Sequence, residues 1–333
     1  MDKKKLGCVG IIAILYGVIV NFYLITHYAC MDCLPPLAQA NYVAPWLLGS
    51  TVFVALALVI FTQRKRFAFL MLPGVIIFLL WYGQSWLPHE TPSAEGTEIT
   101  AATFNIYRHN DDINRIVEII REIDADVIAL EEVNPELEDL ISTDLADLYP
   151  HTVVDVREGY EGMALLSRFP ILESKVEAKP RDNEDVDLEH LTYIRAVLDV
   201  QGQQIVVYVV HPPIADVTPL ISYNDKFLRE EVQKSIDAIK QETLPVLLLC
   251  DCNSVPLTRQ HVELEKILND AFASTGRGLG LSFRLIPGAP LGLIRIDYLW
   301  HSDDFVPIEV KVWRSQNPSD HFPVWGRFVL KDA

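Results

Sequence analysis

The 333-residue sequence predicts an α/β domain placed behind three transmembrane helices. Three observations carry that reading. Nearly uncharged apolar segments crowd the first ninety residues. Beyond them, apolar runs of strand length are interspersed with helical periodicity. Several of those runs stop abruptly at Asn, Asp, Glu or His, as strands do when they deliver polar groups to the rim of a sheet.

Gly7–Thr26 has about the length that crosses a bilayer, and Pro45–Phe61 is slightly short. Phe67–Leu87 is the third segment, with Pro73 and Gly74 inside it, which membrane helices tolerate. Trp46, Trp81, Tyr82 and Trp86 sit near segment ends, as interfacial anchors do. A cleaved signal peptide fits poorly: the first apolar core is too long, no small-residue cleavage site is clear, and two more segments follow. Lys3–Lys5 precede the first segment and Arg64–Arg66 follow the second. Both clusters belong on the cytoplasmic side, so three crossings place everything after Pro88 outside. The expected division is a membrane domain over 1–88, a linker over 89–97 and a soluble domain over 98–333.

Charge separates these parts. Residues 1–90 hold six Lys/Arg and three acids, and the remainder holds 22 basic against 42 acidic residues, a balance of −20. Such a field repels polyanions and argues against non-specific duplex binding, although a local basic pocket is compatible with it.

Glu98–Tyr107 reads as a strand with Asn105 near its end. Asp111 or Asp112 caps a helix whose apolar face is Ile113, Ile116, Val117 and Ile120. Asp126–Val133 is a second strand, ending in Glu131 and Glu132 on opposite faces. One of the two can enter a site while the other is solvated or satisfied elsewhere. Gly162–Ser167 and Tyr193–Val200 are further strands, and Arg181–Glu189 between them is a polar loop. Gln204–Val210 is a strand stopped at His211-Pro212-Pro213, and Asp225–Gln241 is a helix with Leu228, Val232, Ile236 and Ile239 on one face. Val246–Asp251 lies between Pro245 and Pro256, which favours a buried strand that delivers Asp251 and Asn253. Gly276–Gly292 is a loop, Arg295–Trp300 a strand carrying Asp297, and Val310–Trp313 another. Ser319–Pro323 is a turn before the last strand, Val324–Leu330.

Any one of these polar ends is ordinary turn chemistry. Together they gather carboxylates, amides and imidazoles at one rim. Hard oxygen ligands without a Cys/His cluster favour Mg²⁺ or Mn²⁺ over Zn²⁺. The five cysteines are too few for a disulfide scaffold. Cys30 and Cys33 can pair if their loop is outside the cytoplasm. Cys250 and Cys252 fall on the opposite strand face from Asp251, where packing is their expected role.

Seven stretches, in this order, resemble the endonuclease/exonuclease/phosphatase superfamily. They are Thr103-Phe104-Asn105, Asp126 to Val133, Met163 to Pro170, Val210-His211-Pro212, Asp251 to Pro256, Arg295 to Tyr298 and Ser319 to Pro323. The resemblance implies a four-layer α/β sandwich, two central sheets flanked by helices, with the site at one edge. It implies Glu132 as the metal-binding acid, with Asn105 and Asp320 near the metal. Asp251 would orient or deprotonate the attacking water, and Asn253 and His211 would hold the phosphate. His321 would donate to a phosphoryl oxygen, with Asp297 fixing its tautomer. A phosphate ester repels nucleophiles, so such a site needs a cation, donors and a proton acceptor.

Three positions depart from the family pattern. Glu131 stands where Gln is usual, Tyr107 where many nucleases carry an acid, and Cys-Asp-Cys-Asn replaces Gly-Asp-Phe-Asn. The arrangement resembles a membrane-anchored bacterial subgroup. It implies an Mg²⁺-dependent (or Mn²⁺-dependent) phosphoesterase working outside the cytoplasm on a phosphoester, with lipid phosphates such as a polyprenyl pyrophosphate, or an envelope metabolite, as candidate substrates. The competing readings are an extracytoplasmic nuclease, disfavoured by the acidic balance, and a non-catalytic binding protein on the same fold.

Overall fold

A computed structural model describes residues 8–61, 65–87, 92–156, 162–180 and 189–332. Lys3–Lys5, Arg64, Pro88, residues 89–91 of the expected linker and residues 181–188 of the expected polar loop lie outside the described residues. The chain divides into two compact units. The first comprises residues up to Pro88 with Asp216–Asn224 and Leu257–Arg259, and the second comprises the rest.

The first unit holds α1 (Cys8–Cys30), α2 (Pro35–Tyr42), α3 (Ala44–Phe61) and α4 (Leu72–Tyr82). Gly10–Cys30, Ala44–Phe61 and Lys65–Tyr82 are long and apolar enough to cross a membrane. The third is not one uniform helix: Lys65–Met71 is wound as a 3₁₀ helix before α4 begins. Pro73 lacks an N–H and cannot bond back to the preceding turn, which favours a helix start there. Large apolar side chains such as Phe22, Phe53, Phe61 and Leu80 are exposed. Small residues face inward instead, and a Cβ on Gly74 would stand 2.7 Å from Thr51 Cγ2. Asn21 Nδ2 donates to the Gly17 and Leu70 carbonyls at 2.7 and 2.9 Å. Apolar outside with small and polar groups inside is the packing of helices in lipid. Cys30 and Cys33 are disulfide-bonded.

The strands are β1 (Gly96–Asn105), β2 (Val127–Glu131), β3 (His151–Asp155), β4 (Met163–Ser167), β5 (Ile171–Pro180), β6 (Glu189–Val200) and β7 (Gln203–Val210). They continue with β8 (Asp216–Thr218) and β9 (Ser222–Asn224), a hairpin of the first unit, then β10 (Val246–Asp251), β11 (Asn269–Asp270), β12 (Asp297–His301), β13 (Phe305–Val312) and β14 (Val324–Lys331). One sheet has the order β13-β14-β1-β2-β4-β3 and the other β11-β12-β10-β7-β6-β5. Ile99, Ala101, Val127, Ala129 and Leu165 of the first meet Val207, Val209, Leu247, Leu249 and Leu299 of the second in a shared core. The outer face of the first sheet is covered by α5 (Ile113–Ile123) and α6 (Pro135–Thr143), and that of the second by α7 (Lys226–Ile239). This is the four-layer sandwich the sequence implied.

Each sheet has a central parallel pair, β1 with β2 and β7 with β10. Parallel strands bring their C-terminal ends to the same side, and Asn105, Glu131, Val210 and Asp251 are those ends. Antiparallel β12 begins where β10 finishes, so Asp297 sits opposite Asp251 in register.

Four expectations need correction. The second strand stops at Glu131, because Glu132 takes a left-handed φ of 58°. The edge strands β3 and β5 were not expected, since their polar or half-exposed sequences carry little hydrophobic signal and backbone pairing recruits them. Helix α6 was also unexpected, although Asn134 caps it by accepting from Leu137 N at 2.9 Å and Pro135 opens it. Cys250 and Cys252 are buried on one face as alternation requires, but they are bonded to each other. The chain leaves the extended conformation after Asp251, bringing their Cα atoms to 5.1 Å, inside disulfide range.

Candidate active site

Asn105 is buried at the end of β1 and connects the two sheets. Its Nδ2 donates to Glu132 Oε1 at 3.0 Å and to Asp251 Oδ2 at 2.9 Å. Its Oδ1 accepts from Tyr107 N at 2.9 Å. The left-handed turn at Glu132 aims that side chain back toward β1, where its Oε2 accepts from Arg108 N at 3.0 Å. Val133 N then bonds Gly162 O at 2.8 Å. A Cβ at Gly162 would lie 1.9 Å from Val133 O, so only glycine permits this approach.

On the second sheet, Asp251 Oδ2 stands 3.6 Å from Nε2 of both His211 and His321. Its Oδ1 accepts from Asn253 N at 3.1 Å. Asn253 adopts φ 47°, which asparagine tolerates, and its Nδ2 donates to Pro212 O at 3.0 Å. His321 Nδ1 lies 3.0 Å from both carboxylate oxygens of Asp297, and its Nε2 lies 3.9 Å from Asp320 Oδ1. Every residue expected at the rim is therefore linked through this network: Asn105, Glu132, His211, Asp251, Asn253, Asp297, Asp320 and His321.

Electrostatics divides them. Burial pulls Glu132 upward, but His211 and the donors Asn105 Nδ2 and Arg108 N hold it below the usual carboxylate range. Burial raises Asp251, and the Asp297 carboxylate adds to this against the opposing pull of His321 and His211. Burial likewise raises Asp320, helped by the charge of Glu132. Burial alone would lower His321, yet Asp297 and Asp251 lift it to about 10. The ring is therefore an imidazolium that donates Nδ1–H to Asp297 and presents Nε2–H to the site. Glu131 is sealed inside, and burial pushes it well above the carboxylate range. Thr103 Oγ1 donates to it at 2.6 Å.

Glu132 and Asp320 repel each other electrostatically, while Asn105 turns its Nδ2 toward Glu132 and its Oδ1 toward Tyr107 N. Asp251, Asp297 and His321 offer ligand atoms within 4.8 Å of one another. A protonated His321 already bound to Asp297 has no lone pair for a metal, so that trio reads as a hydrogen-bonded triad.

Two supports were missed in the sequence. Ser319 Oγ donates to Asn105 O at 2.7 Å and accepts from His321 N at 2.9 Å, tying β1 to the turn that carries Asp320 and His321. Arg284 is buried within the 276–292 loop. Its Nη2 donates to the carbonyls of Asn317, Ser319 and His321, and its guanidinium lies 4.2 Å from the Phe322 ring centre. Burial draws its pKa down to about 10. Ser319 belongs to a stretch that already stood out, whereas the loop around Arg284 has no periodicity to mark it.

The sequence profile of the endonuclease/exonuclease/phosphatase family matches residues 102–321, which contain all eight rim residues. The chain belongs to that family. No curated protein matches the sequence significantly. Among solved structures, a family protein from Bacteroides thetaiotaomicron aligns with TM-score 0.56 at 19% identity, over 72% of this chain and 100% of its own. The mannosyl-6-phosphatase of the same organism aligns with TM-score 0.54 at 19% identity, over 69% and 99%. TDP2 of D. rerio, solved with a single-strand DNA product, aligns with TM-score 0.55 at 13% identity, over 70% and 99%. At these identities the likeness establishes the fold. A phosphatase and a protein solved with a single-strand DNA product thus share this framework, and members of the family are hydrolases acting on phosphoesters.

Proposed function

We propose that this family member is a membrane-anchored phosphoesterase, dependent on Mg²⁺ or Mn²⁺, that hydrolyses a lipid-linked or cell-envelope phosphoester outside the cytoplasm. The observation that carries this reading is the hydrogen-bonded junction of Asn105, Glu132 and Asp251, with two imidazoles beside Asp251. Glu132, Asn105 and Asp320 would hold the cation, which supplies Lewis-acid neutralisation of phosphoryl charge. Asp251, raised by burial and set beside Asn105 and two imidazoles, is the carboxylate that would take a proton from water. Asn253 Nδ2 donates to Pro212 O beside His211, and these two side chains would orient the phosphate. His321 presents Nε2–H for a phosphoryl oxygen, with Asp297 holding the ring and its charge.

The three apolar helices and the basic residues flanking them favour anchoring with the rim on the extracytoplasmic side. Both disulfides, Cys30–Cys33 and Cys250–Cys252, suit an oxidising compartment. The −20 balance disfavours the nuclease alternative. Purified full-length protein should turn over at least one member of a panel of lipid and soluble phosphoesters, and chelation should stop it. Full activity retained after Glu132→Gln and after His321→Ala would end this mechanism.

A further inference from the structure

We infer that the β8–β9 hairpin is a second membrane contact, whose apolar turn seats in the hydrocarbon of the lipid leaflet bordering α2. This rests on the membrane reading proposed above and adds a protein–lipid surface to it.

The hairpin is short, with Thr218 paired to Ser222 across the turn Pro219-Leu220-Ile221. Leu220 and Ile221 are 75% and 76% exposed, and Ile214 just before the hairpin is 73% exposed. Val217 in β8 is 48% exposed. Leu220 also holds φ 61°, a conformation that glycine or asparagine adopts with far less strain than leucine. A branched apolar residue at a strained turn, fully presented to its surroundings, points to an apolar partner. No Lys or Arg lies between Ile214 and Asn224, so the turn is not built for phosphate headgroups.

What identifies the partner is the attachment. Gln39 of α2 grips the hairpin backbone three times: its Nε2 donates to Thr218 O at 3.1 Å and Ser222 O at 2.9 Å, and its Oε1 accepts from Leu220 N at 2.7 Å. Tyr42 and Tyr223 add a hydroxyl contact at 3.3 Å. Helix α2 lies in the short connection between the spans α1 and α3. A connection of that length between two crossings cannot leave the bilayer surface. The hairpin is clamped to it, so its turn lies at the depth of the lipid boundary.

The test uses full-length protein carrying Cys8→Ser, since Cys8 is the free cysteine among the described residues. Single cysteines are introduced by Leu220→Cys, Leu56→Cys and Glu138→Cys, labelled with an environment-sensitive fluorophore, and reconstituted in phosphatidylcholine/phosphatidylglycerol vesicles with or without nitroxide-bearing lipids. The expected result is strong quenching at 56 and 220 and none at 138. Quenching at 56 with a water-like signal at 220 overturns the inference and leaves the membrane reading standing. No quenching at 56 overturns both. A Leu220→Asp/Ile221→Asp variant is expected to lose about tenfold or more in turnover of a vesicle-embedded phosphoester while keeping turnover of a soluble one, since removing one buried apolar side chain is worth roughly a factor of ten. Unchanged turnover of the embedded substrate would overturn the proposal.

Discussion

The two sides of the rim treat their acids in opposite ways. On the β1–β2 side, Glu132 is surrounded by donors and held ionised below its normal range. On the β10–β12 side, Asp251 is raised by burial and set against a charged imidazole. The first environment suits a site that keeps negative charge for a cation, and the second suits a site that moves protons. Asn105 joins the two by donating to Glu132 and to Asp251 from one amide nitrogen.

That contrast can be broken at either end. Asp251→Asn is expected to cut kcat/KM by about 10²–10⁴-fold, the usual range for a lost general base, with no recovery at high Mg²⁺. Glu132→Gln should also be severely impaired at low Mg²⁺, but raising the cation concentration should recover part of its activity. Steady-state kinetics across a Mg²⁺ titration distinguishes the two, and identical Mg²⁺ profiles would erase the division.

The next largest effect is expected at Arg284. Removing the guanidinium by Arg284→Met orphans the carbonyls of Asn317, Ser319 and His321, at about 1–3 kcal/mol for a buried group left unpaired. Thermal unfolding should shift downward, and activity should fall with it because the same turn carries Asp320 and His321. A variant with wild-type melting temperature and activity would show that other contacts hold the turn.

Glu131 sharpens the comparison by being nearly neutral. It is sequence neighbour to Glu132 but buried, and burial pushes its carboxyl well above the usual range, so Glu131→Gln exchanges a group that favours its neutral form for a neutral amide. Activity within a few-fold of wild type is expected, against the severe loss at Glu132. A loss matching that of Glu132→Gln would mean that Glu131 acts as an ionised group.

The smallest effect lies away from the rim. Arg195 Nε bonds Glu242 Oε1 at 2.6 Å and holds that carboxyl below its usual range. A lowered folded-state pKa contributes stability above the unfolded value, about 4.3, and loses it as pH falls through the folded value. Urea midpoints should therefore drop more between about pH 6 and pH 3 in wild type than in Glu242→Gln.

Much of this was readable along the chain. The strands that end in Asn105, Asp251 and Asp297 announce themselves because a buried strand is an apolar run and a rim residue is its polar interruption. Edge strand β5 left no such mark, since Ile171–Pro180 alternates charge with small apolar groups and owes its state to pairing with β6. The hairpin at Asp216–Asn224 was equally silent, because three-residue strands are shorter than any usable period. Arg284 sits in a loop whose neighbours are apolar and whose role exists only once residues 317–321 fold over it.

By itself, the sequence determined the three apolar segments, the acidic balance of the remainder and the residue types that gather at one rim. Those properties follow from local composition and burial, which a one-dimensional pattern records. Tertiary structure alone decided that a left-handed turn carries Glu132 back to Asn105 while Glu131 is sealed inside, that Cys250 meets Cys252, and that an arginine far along the chain holds the His321 turn. Each of those depends on a backbone angle or a cross-sheet distance, and such quantities come into being only when separate strands pair and pack.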